Sequence, residues 1–270
     1  MSAPIEREVA RNRHLMAAFV SREMRTRYAG STFGAFWSVI HPLIMLFLYI
    51  MVFSTLMPRG ASVSVRDHVA TYAIFLCPAI LAWNWFNESL AGACGSVTNN
   101  ASLIRKVAFP ASILPLTGIL SAAIPFLVAM VLFMVFVVFR GAFGFGTLIW
   151  LPFVCMMQLG LMVGLAYALA ALNVAIRDTS QFLVAGLQFL FWGTPIVYQQ
   201  EQITRVFPAA RWWFEINPVA HLMGAYRDAI IAHRHPQLES VLYVGLVSII
   251  FYHAGRTLFM RGRRVFADEV

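Results

Sequence analysis

The residue types that carry most enzymatic chemistry are few in this chain and far apart. The only lysine is Lys106, and no Gly-Lys-Ser or Gly-Lys-Thr string closes a glycine-rich turn, so the sequence lacks a phosphate-binding loop. GxSxG, HExxH and DxD patterns do not occur either. We therefore expect that the chain is not an enzyme, and that any active process takes its energy from a partner or an ion gradient.

Metal ligands and acid–base groups are equally sparse. His233 and His235 are close in sequence, but no acidic or cysteine partner stands at ligand spacing, which predicts no metal site. The 3 cysteines are scattered and predict neither a disulfide framework nor a CxxC site. Within apolar runs, Glu88 and His41 are ionisable, and each is either a functional group or a packing residue.

The composition predicts an integral membrane protein. Of the 270 residues, 60% are hydrophobic and only 12% are charged, whereas soluble domains carry about 25% charged residues. The net charge of +8 comes from arginines placed beside apolar runs. That placement favours topology signals and contacts with membrane lipids over nucleic-acid binding.

Six apolar runs predict an all-α polytopic membrane protein with six transmembrane helices, because a hydrocarbon core of ~30 Å needs about 20 apolar residues. The runs are 33–57, 69–90, 111–139, 147–173, 181–197 and 238–259. The implied organisation is an interfacial segment (1–32), a transmembrane domain (33–259) and a tail (260–270). Because Lys and Arg are concentrated on the side that holds both termini, the positive-inside rule places both termini in the cytoplasm. The 32 mostly polar or amphipathic residues before the first run predict no cleavable signal peptide.

Two further segments have amphipathic patterns. Within residues 8–30, apolar residues recur at three- and four-residue steps, which predicts a helix in the membrane interface or, alternatively, an ordinary soluble helix. Residues 198–237 are too polar for a span and rich in aromatic side chains, so we predict short re-entrant helices there. Candidate channel or re-entrant residues are Trp192, Tyr198, Trp212, Trp213 and Tyr226.

The polar segment 91–110 predicts a short cytoplasmic helix. Asn99 and Asn100 can cap its start, Pro110 stops it, and two basic residues near its end suit the helix dipole. Such a helix could transmit a push from a docked motor, whereas the alternative is an ordinary positive-inside loop. Arg177 and Asp178, after the fourth run, are either a second contact or an ion pair that anchors the turn.

Four motifs together resemble one known family. They are SREMRTRYAGSTFGAFWSVIHPLIM, NASLIRKVAFP, NVAIRDTSQFLVAGLQFLFWGTPIVY and INPVAHLMGAYRDAI, in order over residues 21–230. This set resembles the membrane subunit of type-2 ABC exporters for cell-surface polysaccharides, in particular the O-antigen, teichoic-acid and capsule export permeases.

The resemblance implies a homodimer of six-span permeases with two copies of a separate nucleotide-binding ATPase. ATP and Mg²⁺ would then bind to that partner, and this chain would need no cofactor. A cytoplasmic entrance is implied around Arg25, Arg27 and Tyr28, whose arginines could attract a substrate diphosphate. The implied coupling helix, which docks on the ATPase, consists of Asn99, Asn100, Ser102, Leu103, Ile104, Arg105 and Lys106.

The implied substrate is an undecaprenyl-diphosphate-linked polysaccharide, of O-antigen or capsule type, that crosses the bacterial inner membrane. Two alternatives remain open. One is a lipid or drug exporter permease of the same superfamily, and the other is an ion-coupled secondary transporter.

Overall fold

A computed structural model describes residues 5–27, 29–32, 34–56, 65–106, 109–263 and 266. Within these residues the chain is helical and contains no strand, which confirms the all-α prediction. The helices are α1 (Ile5–Arg11), α2 (Arg13–Arg27), α3 (Trp37–Leu56), α4 (Val65–Gly95), α5 (Ala101–Lys106), α6 (Leu114–Phe139), α7 (Phe145–Ala175), α8 (Thr179–Gly193), α9 (Gln200–Val206), α10 (Ala210–Ile216), α11 (Pro218–Ile230) and α12 (Leu238–Gly262).

Three helical segments in the described ranges are long and apolar enough to cross a bilayer. They are Ala111–Phe139, Phe145–Ala175 and Leu238–Gly262, with 29, 31 and 25 residues. At 1.5 Å per residue each is longer than the ~30 Å hydrocarbon core. They coincide with the third, fourth and sixth predicted runs, and these three predictions are therefore confirmed in length and composition.

The fifth predicted run is shorter as a helix than its sequence suggested. α8 has 15 residues, which is ~22 Å at 1.5 Å per residue. It ends at Gly193, so the prediction that the run continues to Val197 is wrong. Thr194 has an extended backbone because Pro195 follows it, and a residue before proline avoids the helical conformation.

Small residues set how closely the long helices approach. α7 packs most extensively against α12, and the backbones meet at Gly164 and Gly255, where an added Cβ on either glycine would overlap the facing backbone. α4 crosses α6 at Gly118, where an added Cβ would lie 2.7 Å from the backbone nitrogen of Ala93. Glycine at such crossings allows contact between backbones that any side chain would prevent.

The amphipathic pattern over 8–30 forms two helices rather than one. α1 and α2 meet at Asn12, whose side-chain amide donates to the Glu8 carbonyl at 2.7 Å. This hydrogen bond gives a partner to one of the backbone carbonyls in the last turn of α1. The apolar stripe of α2 is half-buried, while its arginines are exposed, which agrees with the predicted periodicity. Tyr28, assigned to the predicted entrance, lies outside the described residues.

The α7–α12 crossing makes a direct prediction for stability. We expect Gly255→Ala to lower the melting temperature of the detergent-purified protein strongly, because overpacking costs about 1–3 kcal/mol or more. Gly245→Ala on the same helix is the matched control, since an added Cβ there has no neighbour within 4 Å and alanine favours helix. Equal melting temperatures for the two variants would contradict the described crossing.

Candidate functional site

The segment between α4 and α6 presents an exposed polar face. Asn99, Ser102 and Arg105 are exposed and recur at three-residue steps, which places them on one side of the turn and helix. Leu103 is half-buried, and Ile104 packs against a hydrophobic cluster beneath the helix. The side chain of Lys106 lies outside the described part of the chain. The segment therefore has an apolar base and a polar face that is open to a partner.

Hydrogen bonds tie this segment to α2 and α7. Arg22 of α2 donates from Nη2 to Asn100 Oδ1 at 2.8 Å, and the Asn100 amide donates back to the Ser96 carbonyl at 2.8 Å. Asn173, near the end of α7, donates from Nδ2 to Thr98 Oγ1 at 3.3 Å. The Asn100 side chain thus fixes the segment to its neighbours, a role that the predicted capping function did not include.

The cluster beneath α5 joins parts of the chain that are far apart in sequence. Tyr167 of α7 stands near its centre, with its ring 5.2 Å from that of Phe259 of α12, and its hydroxyl donates to the Ser112 carbonyl at 3.0 Å. We call this group the terminal cluster, and its buried members are Ile5, Val97, Ala111, Leu114, Tyr167, Ala170, Ala171, Val174, Phe259 and Phe266.

Two carboxylates of α1 fasten the start of the chain to α12. Both oxygens of Glu8 accept hydrogen bonds from Arg263, one of them from Nη2 at 2.8 Å. Glu6 accepts from the Tyr252 hydroxyl and, at 3.1 Å, from Arg256 Nε. These contacts place α1 and the end of α12 on the same side of the bundle.

The hydrogen bond from the Tyr252 hydroxyl lowers the pKa of Glu6 below its ordinary value, with a smaller contribution from the Arg256 charge. Since the pKa is depressed in the folded state, the stabilisation by Glu6 is present at neutral pH. It is lost as the pH falls through the lowered pKa.

Arg27 of the predicted entrance is paired. Its Nη1 lies 2.8 Å from Glu88 Oε2 on α4. Glu88, near the C-terminal end of α4, therefore anchors α2 and neutralises the charge of Arg27. Arg25 is exposed on α2, and within the described residues its side chain makes no ion pair. An attraction of anionic substrate by these arginines would therefore rest mainly on Arg25.

The turn between α7 and α8 exposes both of its charged residues. Arg177 and Asp178 are solvent-accessible, and no ion pair joins these two described side chains, which corrects the alternative of an anchoring pair. The turn is instead held by Thr179, whose hydroxyl donates to the Ile176 carbonyl at 2.6 Å. Both charges are thus available to a partner on the same side as α5.

A groove between α4 and α8 combines amides with aromatic rings. It has a volume of about 360 Å³ and is lined by residues that include Trp83, Asn84, Asn87, Gln188 and Trp192. None of these three amides has a hydrogen-bond partner within the described residues. Asn84 precedes the end of α4 by eleven residues, or ~16 Å along the helix, so the groove opens on the side of the bundle, well away from that end of α4. An adjoining cavity of about 280 Å³ shares the two asparagines and contains His41 and Glu88.

The aromatic residues of the predicted re-entrant region have different roles. The Trp213 indole donates to the Gly193 carbonyl at 2.7 Å, and the Tyr198 hydroxyl donates to the Trp192 carbonyl at 2.8 Å. Trp212 is exposed. Tyr226, by contrast, is fully buried, and its hydroxyl points to Cys155 Sγ at 3.5 Å. Tyr226 is therefore a core residue of this subunit, and its assignment to the channel or re-entrant region stays a prediction.

Sequence reasoning missed two groups that stabilise the chain after α8. Arg227 donates from Nη2 to the Ile196 carbonyl at 2.8 Å, and the Tyr72 hydroxyl donates to the Val197 carbonyl at 2.7 Å. The available signal was the single arginine of α11, a helix that is mostly apolar. Such a charge needs acceptors inside the protein, and here they are backbone carbonyls.

Comparison with known proteins identifies the family. The model of the ABC-2 type transporter family matches residues 14–231, which is most of the chain. The chain belongs to the ABC-2 type transporter family. The family comprises the membrane-embedded permeases of such transporters, and the exposed α5 face and the α4–α8 groove are therefore features of an ABC-2 permease.

Two relatives of this ABC-2 permease align over nearly all of its length. One is the O-antigen export system permease protein RfbA of Myxococcus xanthus, 28% identical over 98% of both chains. The other is a protein of the same name from Klebsiella pneumoniae, 27% identical over 94% of both. The capsule polysaccharide export inner-membrane protein CtrC of Neisseria meningitidis serogroup B is 31% identical over 36% of this chain and 34% of its own.

The contacts of α1 with α12 predict unequal effects of two arginine substitutions. Arg263→Leu leaves the carboxylate of Glu8, whose side chain is only 6% exposed, without its partner, and we expect a loss of about 3–5 kcal/mol. Arg256→Leu, the matched control on the same helix, breaks a contact with Glu6, which is 53% exposed, so we expect about 0–1 kcal/mol. Thermal unfolding of the purified permease measures both, and a larger effect of Arg256→Leu would refute the assignment.

Proposed function

We propose that this chain is the permease subunit of an ATP-driven exporter that moves undecaprenyl-diphosphate-linked polysaccharide, of O-antigen or capsule type, across the bacterial inner membrane. The proposal is supported by the near full-length similarity to two permeases named for O-antigen export and the partial similarity to one named for capsule export. A lipid or drug exporter and an ion-coupled carrier have no comparable support among these relatives.

The observation that carries the proposal is the exposed polar face of α5 on an anchored base. Arg22 and Asn173 hold the two ends of the preceding turn, while Ile104 rests on the terminal cluster. A force applied to this face by a docked ATPase would reach α2, α7 and α12 through direct contacts. Two copies of that ATPase would bind ATP and Mg²⁺, since this chain has no phosphate-binding loop.

The translocation pathway is assigned to a homodimer. An amide without a partner costs free energy in hydrocarbon, so the α4–α8 groove should face a wet pathway rather than lipid. α8 is exposed along most of its surface, which leaves it available to a second copy of the chain. Trp83 and Trp192 would then offer ring faces to sugars, and the three amides would offer exchangeable hydrogen bonds.

The proposed topology has six spans and cytoplasmic termini. α3, α4 and the short α8 would cross together with the three helices of established length, and α2 would lie in the membrane interface. Helices α9 to α11 would enter the leaflet that faces away from α5, as re-entrant elements. Arg25 would stand at the cytoplasmic entrance, where a lipid diphosphate would meet it.

Charge reversal on α5 tests the proposed coupling. We expect Arg105→Glu plus Lys106→Glu to reduce capture of the ATPase encoded beside the permease gene by about ten-fold or more, because a reversed interface charge repels the partner. ATP-driven export should be lost as well. The control is Arg205→Glu, which changes an exposed arginine of α9 on the opposite side. Unchanged capture and export would remove the coupling assignment, and ATP hydrolysis by the permease alone would remove the need for a partner.

Thiol cross-linking tests the homodimer. In a variant without Cys77, Cys94 and Cys155, we expect Val184→Cys on α8 to give a covalent dimer in native membranes with a short bifunctional thiol reagent. Leu246→Cys on α12 is the control, because its side chain has a similar exposure, 58% against 64%, on a face assigned to lipid. Dimers from the α12 position and none from α8 would exclude the proposed interface.

A further inference from the structure

A second polar cavity lies at the opposite end of the bundle from α5. It has a volume of about 450 Å³ and is formed by α9, α10, α11 and the start of α12. Phe75 of α4 also lines it, and this residue precedes the end of α4 by twenty positions, or ~30 Å along the helix. We call this cavity the distal cleft, defined by Phe75, Gln200, Glu201, Arg227, Gln237 and Glu239.

Part of the polar lining of the distal cleft is already used by the fold. Glu215 pairs with Arg211 at 2.8 Å, and Asp228 pairs with Arg234 at 2.7 Å. The Arg227 guanidinium carbon lies 4.0 Å from the centre of the Phe75 ring. These groups form a fixed floor and wall, with an aromatic ring held in place by a cation.

Four other polar side chains that line the cleft make no hydrogen bond and no ion-pair contact within the described residues. Within the described residues, neither the amides of Gln200 and Gln237 nor the carboxylates of Glu201 and Glu239 have a hydrogen-bond or ion-pair partner. Glu201 and Glu239 are exposed and stand on different helices, α9 and α12. Their donors and acceptors therefore surround a cavity that is large enough for more than water.

The chemistry of this lining selects one class of ligand. The described His, Cys, Asp and Glu residues form no group that could hold a metal ion. Glu201 interacts electrostatically with Arg227, and the further negative charge of Glu239 makes the lining unfavourable for a polyanion, while the many polar groups disfavour an acyl chain. A neutral or amino sugar fits, since its hydroxyls can pair with amides and carboxylates while its apolar ring face lies against the part of Phe75 that Arg227 leaves open.

A neighbouring cavity extends the cleft. It has a volume of about 590 Å³, and Phe75 and Gln199 line both cavities. Thr71, Tyr72 and Gln202 also contribute to it. Two neighbouring cavities that share Phe75 and Gln199 suit contact with a linear chain of several sugar units better than with a single small molecule.

We propose that the distal cleft binds a neutral or amino-sugar segment of the exported polymer after it has left the pathway. This inference rests on the proposed function, because it takes the side opposite α5 as the exit side. A segment held in the cleft cannot slip back while the motor resets. The cleft belongs to one protomer, and it is separate from the α4–α8 groove.

Gly224 allows a test that blocks the cleft and leaves the fold intact. It lines the cleft, and an added Cβ would meet no atom within 4 Å. The permease is purified in lipid nanodiscs and titrated by calorimetry with the host's own surface polysaccharide, from which mild acid has removed the lipid. We expect Gly224→Leu to weaken binding by about ten-fold or more, because the leucine side chain would occupy part of the cleft and keep the glycan from at least one charge-assisted hydrogen bond. Loss of one such bond already has about that effect.

The matched control is Gly245→Leu, another helical glycine with open space around it but outside the cleft, which should bind as the unmodified protein does. Polygalacturonate should not bind, and Glu201→Gln plus Glu239→Gln should allow it to bind. Absence of glycan binding to the unmodified protein, or equal binding by the two leucine variants, would overturn the proposal.

The outcome for the cleft can be separated from the outcome for the exporter. An export assay with the ATPase complex tests the proposed function, whereas the titration tests the cleft without the ATPase. Export together with no glycan binding would refute the cleft alone. If the unmodified protein both exports polymer and binds glycan, we expect Gly224→Leu to slow export while ATP hydrolysis by the complex continues.

Discussion

Backbone that leaves a helix inside a membrane protein must find hydrogen-bond partners within the protein, and this constraint shapes the end of the bundle opposite α5. Residues 194–197 are buried and non-helical. The carbonyls of Gly193, Ile196 and Val197 are satisfied by Trp213, Arg227 and Tyr72. Because these donors come from α10, α11 and α4, the short α8 requires the helices that follow it to fold back against it. The distal cleft lies between those same helices.

At the end of the bundle that carries α5, the packing of apolar side chains contributes more to the structure than helix capping does. The terminal cluster places α5 on aromatic and aliphatic side chains from α1, α7 and α12, so a displacement of α5 cannot be absorbed locally. Close-packed interiors transmit such displacements because they contain few voids to collapse into. The hydrogen bonds from Arg22 and Asn173 strengthen the contact of α5 with the bundle, since they tie the turn before α5 to two different helices, α2 and α7.

The sequence predicted the helical class, three of the long helices and the helical period of α2, because each depends on local composition or periodicity. The early end of α8 was also predictable from Thr194-Pro195, although the apolar residues that continue to Val197 favoured a longer helix. The partners of Arg227 and Glu8 were not predictable, because each contact joins residues that are distant in sequence. Glu8 and Arg263, for example, are separated by 255 positions. Burial of Tyr226 likewise depends on which face of α11 meets α7, and an amphipathic pattern alone does not identify the neighbour.

The contact between α1 and the end of α12 has a consequence for biogenesis. Ile5 and Glu8 are buried against side chains that include Phe259 and Arg263, and the ribosome adds Arg263 at a point 255 positions after Glu8. While the intervening helices insert one after another, α1 has no permanent place to dock. Synthesis of α12 is therefore the event that lets α1 dock, and a nascent chain that lacks α12 would lack these contacts.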